Sequence, residues 1–210
     1  MKEVFKINGD KTLEGKVRIS GSKNATVALI PATVLGNEPI HITGIPNISD
    51  IEALSSLMKE LNCEVEKING SELIINPGKI INTPLDHESV TKLRASYYFM
   101  GALLGKYKEV KIRMSGGCNL GPRPIDLHLK GFEALGAEVE YLNGIYHLTA
   151  KELIGNKIFL DITSVGATIN IMMAAVYAKG RTIIENAAKE PEIIDVANLL
   201  NKMGAQVRGA

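Results

Sequence analysis

The feature that most limits what this chain can become is a repeat within it. Three segments of the 210-residue sequence align at a spacing of roughly 70 residues. They open with SKNATVALIPATVLG, LRASYYFMGALLG and SVGATINIMMAAVYAKG. Each begins as a helix rich in small and apolar residues, expected to close near Gly36, Gly105 or Gly180, since glycine is the common residue just past a helix end. A β-rich run follows (IHIT, VKIRM, TIIEN), then a loop ending at Ser49-Asp50, Pro124 or Pro191. An amphipathic helix comes next, as the helical spacing of Leu54, Leu57, Met58 and Leu61 shows.

The first two units finish as hairpins, with Asn69-Gly70 and Asn143-Gly144 as the tight-turn signals. The third reaches AQVRGA and stops, one strand short of the internal pattern. Helices apolar nearly all round, alternating with sheets, suggest an α/β fold of the α+β type: three αβαββ repeats, the third truncated, with the helices packed inside a ring of sheets. The units are expected at about 21–80, 90–155 and 162–210, with residues 1–20 a strand segment outside them. A single doubly wound parallel sheet fits less well, because hairpins recur. Pro31 is expected to kink or interrupt the first helix. Gly204 and Gly209 lack the strand, turn and helix order of a dinucleotide fingerprint.

Charge excludes several function classes. Lys and Arg total 24 against 23 Asp and Glu, with no block of one sign, so no nucleic-acid or membrane-attracting face is expected. The N-terminus has no secretory pattern, and the longest apolar stretches run about ten residues, half a bilayer crossing. A cytoplasmic protein is the expectation. Two cysteines give neither a disulfide framework nor zinc spacing, and no metal or cofactor is expected. Cys63, where a strand begins, reads as a small buried side chain.

The chemistry concentrates in SGGCNLGPRPIDLH, residues 115–128. Pro122 and Pro124 stiffen this loop around Arg123, while Gly116, Gly117 and Gly121 let a ligand approach the main chain. A thiol at Cys118, near a helix start and the cations Arg113 and Arg123, could serve as nucleophile or general acid. Cys118 as a plain loop residue stays an equal alternative. Asp126 falls in the first turn of the next helix, where it either favours the positive helix end or accepts from a nucleotide. His128 reads as a surface or capping partner.

The helix starts carry a second signal. Lys23 and Asn24, after a Gly-Ser pair, open the first helix and offer a site for phosphate or carboxylate, or else a solvated lysine beside an N-cap. Arg94 takes the equivalent place in unit two; Ser164, Val165 and Gly166 take it in unit three. Three such starts converging on one cleft would hold one anionic ligand. Glu190 and Glu192 read as helix-start acids.

Together SGSKNA, LRAS, GGCNLGPRPIDLH, SVGATINIM and IIENAAKEPEIID resemble the UDP-N-acetylglucosamine 1-carboxyvinyltransferases of the enolpyruvyl transferase family. The likeness runs along the whole chain but covers only the N-terminal half of such enzymes. It implies transfer of enolpyruvyl from phosphoenolpyruvate to the 3-hydroxyl of UDP-N-acetylglucosamine, with release of phosphate, in bacterial peptidoglycan synthesis. It implies two similar inside-out α/β barrel domains, each of three repeats, closing over these small-molecule substrates, with residues before about Ser20 adding to the other domain.

By the same resemblance Cys118 is the proton donor, able to hold a phosphoenolpyruvate adduct and to be alkylated by fosfomycin. Lys23, Asn24 and Arg123 match the phosphoenolpyruvate contacts. Arg94, Arg123, Pro124, Ile125, Asp126, Leu127, Ser164 and Val165 match the UDP-sugar contacts. Ile162 stands where some relatives have lysine, and the second-domain aspartate and arginines have no counterpart here, so the 210 residues alone are expected to be inactive. A non-catalytic UDP-sugar-binding module is the alternative. A 5-enolpyruvylshikimate-3-phosphate synthase is the other, although that enzyme lacks the cysteine loop.

Overall fold

The computed structural model describes residues 4–87, 90, 91, 93–114 and 125–210, with Arg94 described by its backbone alone. In the first unit α1 (Lys23–Ala32) tightens into a 3-10 turn at Thr33–Leu35 just past Pro31, whose missing N–H and ring disfavour a continued α-helix. β1 (Ile40–Thr43), α2 (Ser49–Glu60), β2 (Glu64–Asn69) and β3 (Glu72–Asn76) follow. In the second, a 3-10 turn at Arg94–Tyr97 runs into α3 (Tyr98–Tyr107). Then come β4 (Glu109–Arg113), α4 (Asp126–Ala134), β5 (Glu138–Leu142) and β6 (Ile145–Thr149). The third has β7 (Lys157–Phe159), α5 (Val165–Ala175), β8 (Ile183–Glu185) and α6 (Pro191–Lys202).

Units one and two share one pairing pattern. The strand orders β1-β3-β2 and β4-β6-β5 are the same antiparallel arrangement, each with the second hairpin strand in the middle. β7, which the sequence reading did not anticipate, lies parallel to β8 in the register Lys157↔Ile183. Its counterpart in unit two is the single parallel bridge Leu85↔Ile112. A short extended piece therefore precedes α3 and α5 and lies beside the strand that follows the helix. Residues 4–20 form neither helix nor strand and stay exposed, Phe5 and Leu13 included.

Two kinds of helix build the interior. α1, α3 and α5 bury most of their residues on all sides, and α3 packs on both α1 and α5. α2 and α6 instead bury one stripe: Ile51, Leu54, Leu57 and Met58 in α2, Ile193, Val196, Ala197 and Leu200 in α6. The core runs continuously from Ile30 through Phe99 and Leu103 to Phe132 and Ile171. Among the described residues no helix is long and apolar enough to cross a membrane.

Two local expectations change. Gly105 does not end its helix; α3 continues to Tyr107 and is closed by Lys108 in the left-handed conformation, φ 63°. Gly105 and Gly101 instead face α5, where a Cβ would meet the backbone at Met173 and Asn170. Gly180 likewise lies beyond the end of α5 at Ala175. The hairpin of unit two turns on Asn143 and Gly144, both at positive φ as the tightest turns require. In unit one the turn shifts by one residue to Gly70-Ser71, because Asn69 pairs with Glu72 and its side-chain oxygen accepts the Ser71 N–H at 2.8 Å.

Candidate functional site

The first inner helix and the third start in the same way. Ser22 caps α1, its Oγ accepting the Ala25 N–H at 3.2 Å, and Thr26 Oγ1 donates back to the Ser22 carbonyl at 2.7 Å. Ser164 caps α5 by the same two bonds, from Ala167 N at 3.3 Å and Thr168 Oγ1 at 2.8 Å. The shared pattern S-x-x-A-T thus sets a serine cap that leaves the other first-turn N–H groups without helical partners. Unit two differs: Arg94 begins a 3-10 turn, with Leu93 before it and no side-chain cap.

Hydrogen bonds, close packing and one electrostatic interaction link these starts. Asn24 Nδ2 donates to Glu192 Oε1 of α6 at 3.2 Å. The Tyr98 hydroxyl is held above the usual phenol range chiefly by burial, then by its hydrogen-bonded neighbour Tyr97, with a smaller push from the charge of Glu192. Tyr97 in turn flanks Gly166, where a Cβ would lie 3.1 Å from both the Tyr97 hydroxyl and His128 Cε1. The chain Asn24, Glu192, Tyr98, Tyr97, Gly166 therefore connects the starts of α1, α3 and α5.

The expected ligand-binding residues fall as follows. Lys23, first residue of α1, pairs with Asp50 of α2 at 2.9 Å and keeps more than half of its side chain exposed. Ile125 precedes α4 and its carbonyl accepts the N–H groups of His128 and Leu129, at 2.9 and 3.1 Å. Asp126 and Leu127 form the first turn of α4, and the Asp126 carboxylate is close enough to help raise the Tyr146 pKa, after burial and Tyr141. Ser164 and Val165 form the start of α5. Ile162 is exposed, one residue past Asp161, which pairs with Lys130 at 2.6 Å. Cys118, Arg123 and Pro124 lie outside the described residues, as does the Arg94 side chain. Among the described residues no cluster of His, Cys, Asp and Glu could hold a metal ion.

His128 corrects its expectation. It is buried rather than on the surface, its ring edge-on to Tyr97 at 5.2 Å, and burial pushes its pKa down to about 4. The helical spacing carried the signal, since His128 shares the buried face of α4 with Gly131 and Phe132. Asn170, a polar residue in the middle of an apolar helix, is the residue the sequence reading missed. Cys63 is as expected: buried, donating from Sγ to the Asn76 carbonyl at 3.1 Å, with its thiol pushed up to about 11 by burial.

Comparison with known proteins gives a consistent picture. The family model EPSP synthase (3-phosphoshikimate 1-carboxyvinyltransferase) matches residues 7–210. The UDP-N-acetylglucosamine 1-carboxyvinyltransferase 2 of Bacillus subtilis (strain 168) is 58% identical over 208 residues, 99% of this chain and 48% of that protein. The protein of the same name from Staphylococcus epidermidis is 57% identical over 209 residues, 99% of this chain and 50% of that protein. The chain spans about half the length of the curated relatives it matches. Among solved structures, the enolpyruvyl transferase NikO from Streptomyces tendae superposes with a TM-score of 0.83 at 20% identity, covering 96% of this chain and 48% of that one. An EPSP synthase from Acinetobacter baumannii gives 0.75 at 19%, covering 96% and 46%. At such identities the likeness is one of fold.

Proposed function

The chain belongs to the EPSP synthase (3-phosphoshikimate 1-carboxyvinyltransferase) family, and on that premise we propose that it is the N-terminal portion of a UDP-N-acetylglucosamine 1-carboxyvinyltransferase. The observation that carries the choice of substrate is identity: 56–58% over 208 residues to relatives of that name, against 19–20% to the family's structural neighbours. The proposed setting is peptidoglycan precursor synthesis in the cytoplasm.

In this reading the 3-hydroxyl oxygen of the sugar attacks C2 of phosphoenolpyruvate while C3 takes a proton, giving a tetrahedral adduct. Loss of phosphate, with a proton leaving C3, restores the vinyl group. Cys118 is the proposed proton donor and fosfomycin target. Lys23, Asn24 and Arg123 hold phosphoenolpyruvate, where fixed cations and dipoles stabilise the charge that builds on the departing phosphate. Arg94, Arg123 to Leu127, Ser164 and Val165 hold the nucleotide sugar. The serine-capped starts of α1 and α5 support this assignment, because bare N–H groups at helix starts favour anions. Turnover is assigned to this part together with a second domain that supplies the base for the sugar hydroxyl.

Calorimetry on the 210-residue chain tests the substrate. UDP-N-acetylglucosamine is expected to bind and shikimate 3-phosphate is not; the reverse preference would overturn the reading. Mass spectrometry after fosfomycin treatment is expected to find the adduct on Cys118, and phosphate release with both substrates is expected to be absent without the second domain.

A further inference from the structure

Asn170 lies in the middle of α5 with no exposed surface, and its carboxamide makes three hydrogen bonds. Its Oδ1 accepts the Gly101 N–H at 2.9 Å, and its Nδ2 donates to the Tyr97 carbonyl at 3.1 Å and to His128 Nδ1 at 2.9 Å. Gly101 N–H and Tyr97 C=O are groups that an α-helix ordinarily pairs with one another. Here both are met by an amide inserted from the neighbouring helix, at the point where the 3-10 turn becomes α3.

This arrangement fixes the proton on the histidine. Turning the amide over would set Nδ2 against the Gly101 N–H, donor to donor, and Oδ1 against the Tyr97 carbonyl. The amide orientation is therefore determined, and Nδ2 must donate to His128 Nδ1. A ring nitrogen that accepts carries no hydrogen, so the proton of the neutral ring sits on Nε2. Among the described residues nothing accepts from that Nε2–H. The adjoining Cε1, like the Tyr97 hydroxyl, would lie 3.1 Å from a Cβ on Gly166, so this edge of the ring borders the start of α5, beside Ser164 and Val165.

We propose that Asn170 is a positioning residue that holds His128 as a neutral ring with its Nε2–H free, and that this N–H donates to an anionic oxygen of the ligand bound at the helix starts. Only the identity of the ligand rests on the nucleotide-sugar reading above. An imidazolium there would have to surrender the bond to Asn170 and be buried as a charge. Among the described residues the neighbours offer no relief. Tyr97 is the titratable side chain in contact with the ring from the start of α3; α5 contributes Asn170 and Gly166, which do not titrate. On α4 itself stand Asp126, Lys130 and Glu133, and Lys130 is paired with Asp161.

The test is long-range proton–nitrogen NMR of the histidine-labelled 210-residue chain. His128 is expected neutral and Nε2-protonated at neutral pH; an Nδ1-protonated or charged ring would overturn the proposal without any variant. Asn170→Asp replaces the donor with an acceptor and is expected to make the ring a cation at the same pH, whereas an unchanged tautomer in a folded variant would remove Asn170 from the role. UDP-N-acetylglucosamine is expected to move the Nε2–H resonance. His128→Ala should weaken its binding about tenfold, as for one hydrogen bond to a charged group, and His128→Gln, with an amide nitrogen near the Nε2 position, should recover most of it. Shifts at the Ser164 and Val165 amides with none at His128 would overturn the donor role. If the nucleotide sugar moves nothing, the substrate reading fails and inorganic phosphate replaces it as the probe, with the same two outcomes for the donor.

Discussion

Gly105 on α3 sits so close to Met173 on α5 that a Cβ at Gly105 would lie 2.8 Å from the Met173 carbonyl oxygen. One turn earlier, a Cβ on Gly101 would overlap the backbone of Asn170. Two glycines four residues apart thus let the central helices touch backbone to backbone, which brings the Asn170 amide within reach of α3.

Replacing either glycine by alanine therefore sets two effects against each other. Alanine favours a helix by about 1 kcal/mol over glycine, while forcing a methyl group into a filled interior costs about 1–3 kcal/mol. Because the nearest atom at each site is a backbone carbonyl oxygen, of Asn170 or Met173, rather than a flexible side-chain end, the second effect is expected to win at both sites. Urea unfolding should show Gly101→Ala and Gly105→Ala less stable than the parent. A gain in stability would mean that α3 and α5 can separate without loss.

The pH dependence of stability follows from His128. Its pKa falls from 6.5 unfolded to about 4 folded, through burial, so the unfolded chain binds the extra proton first. The stability associated with the neutral buried ring is fully present above pH 6.5 and is lost as pH falls towards 4. The loss is on the order of 3 kcal/mol at the acid end. Urea midpoints measured across this window should fall with pH in the parent and fall less in His128→Gln; equal slopes would place the proton elsewhere.

How much of this was legible in the sequence depended on whether a residue's partner was near or far along the chain. The amphipathic stripe of α2, the proline start of α6 and the Asn143-Gly144 turn are local, and each forms where its own residues dictate. The serine caps of α1 and α5 are local as well, although the sequence reading places a cap at α1 only and settles on no one residue for it. Gly105 misled because glycine ends helices and also permits close packing, and only the position of α5 decides between the two. β7 was missed because three residues form a strand only when the distant Ile183–Glu185 lies alongside. Asn170 was conspicuous as a polar residue in an apolar helix, yet its three partners come from two other helices.

The two cysteines should differ in reactivity. Cys63 is buried, hydrogen-bonded to Asn76, and has a thiol that ionises only at about pH 11, so almost no thiolate forms near neutrality. A thiol-specific chromophoric reagent applied to the folded chain at pH 8 is expected to modify Cys118 alone, as mapped by peptide mass spectrometry. Cys63 should react only after unfolding. Labelling of Cys63 in the folded chain would contradict its buried state, and a silent Cys118 would count against its proposed catalytic role.

The Lys23 ammonium is engaged by Asp50 at 2.9 Å while more than half of the lysine side chain remains in water. Exposed pairs of this kind contribute about 0–1 kcal/mol, and Asp50 adds a similar amount as an acid in the first turn of α2. Asp50→Asn should therefore leave the fold intact. If Lys23 holds a phosphate, the carboxylate competes with that phosphate for the same ammonium, so its removal is expected to tighten phosphoenolpyruvate binding a few-fold. The gain should shrink at high salt, as interactions between exposed charges do. Lys23→Met should abolish binding in either background. Titration calorimetry at two ionic strengths separates the cases: weaker binding in Asp50→Asn would make the aspartate an orienting partner of the lysine, and unchanged binding in Lys23→Met would remove the lysine from the phosphate site.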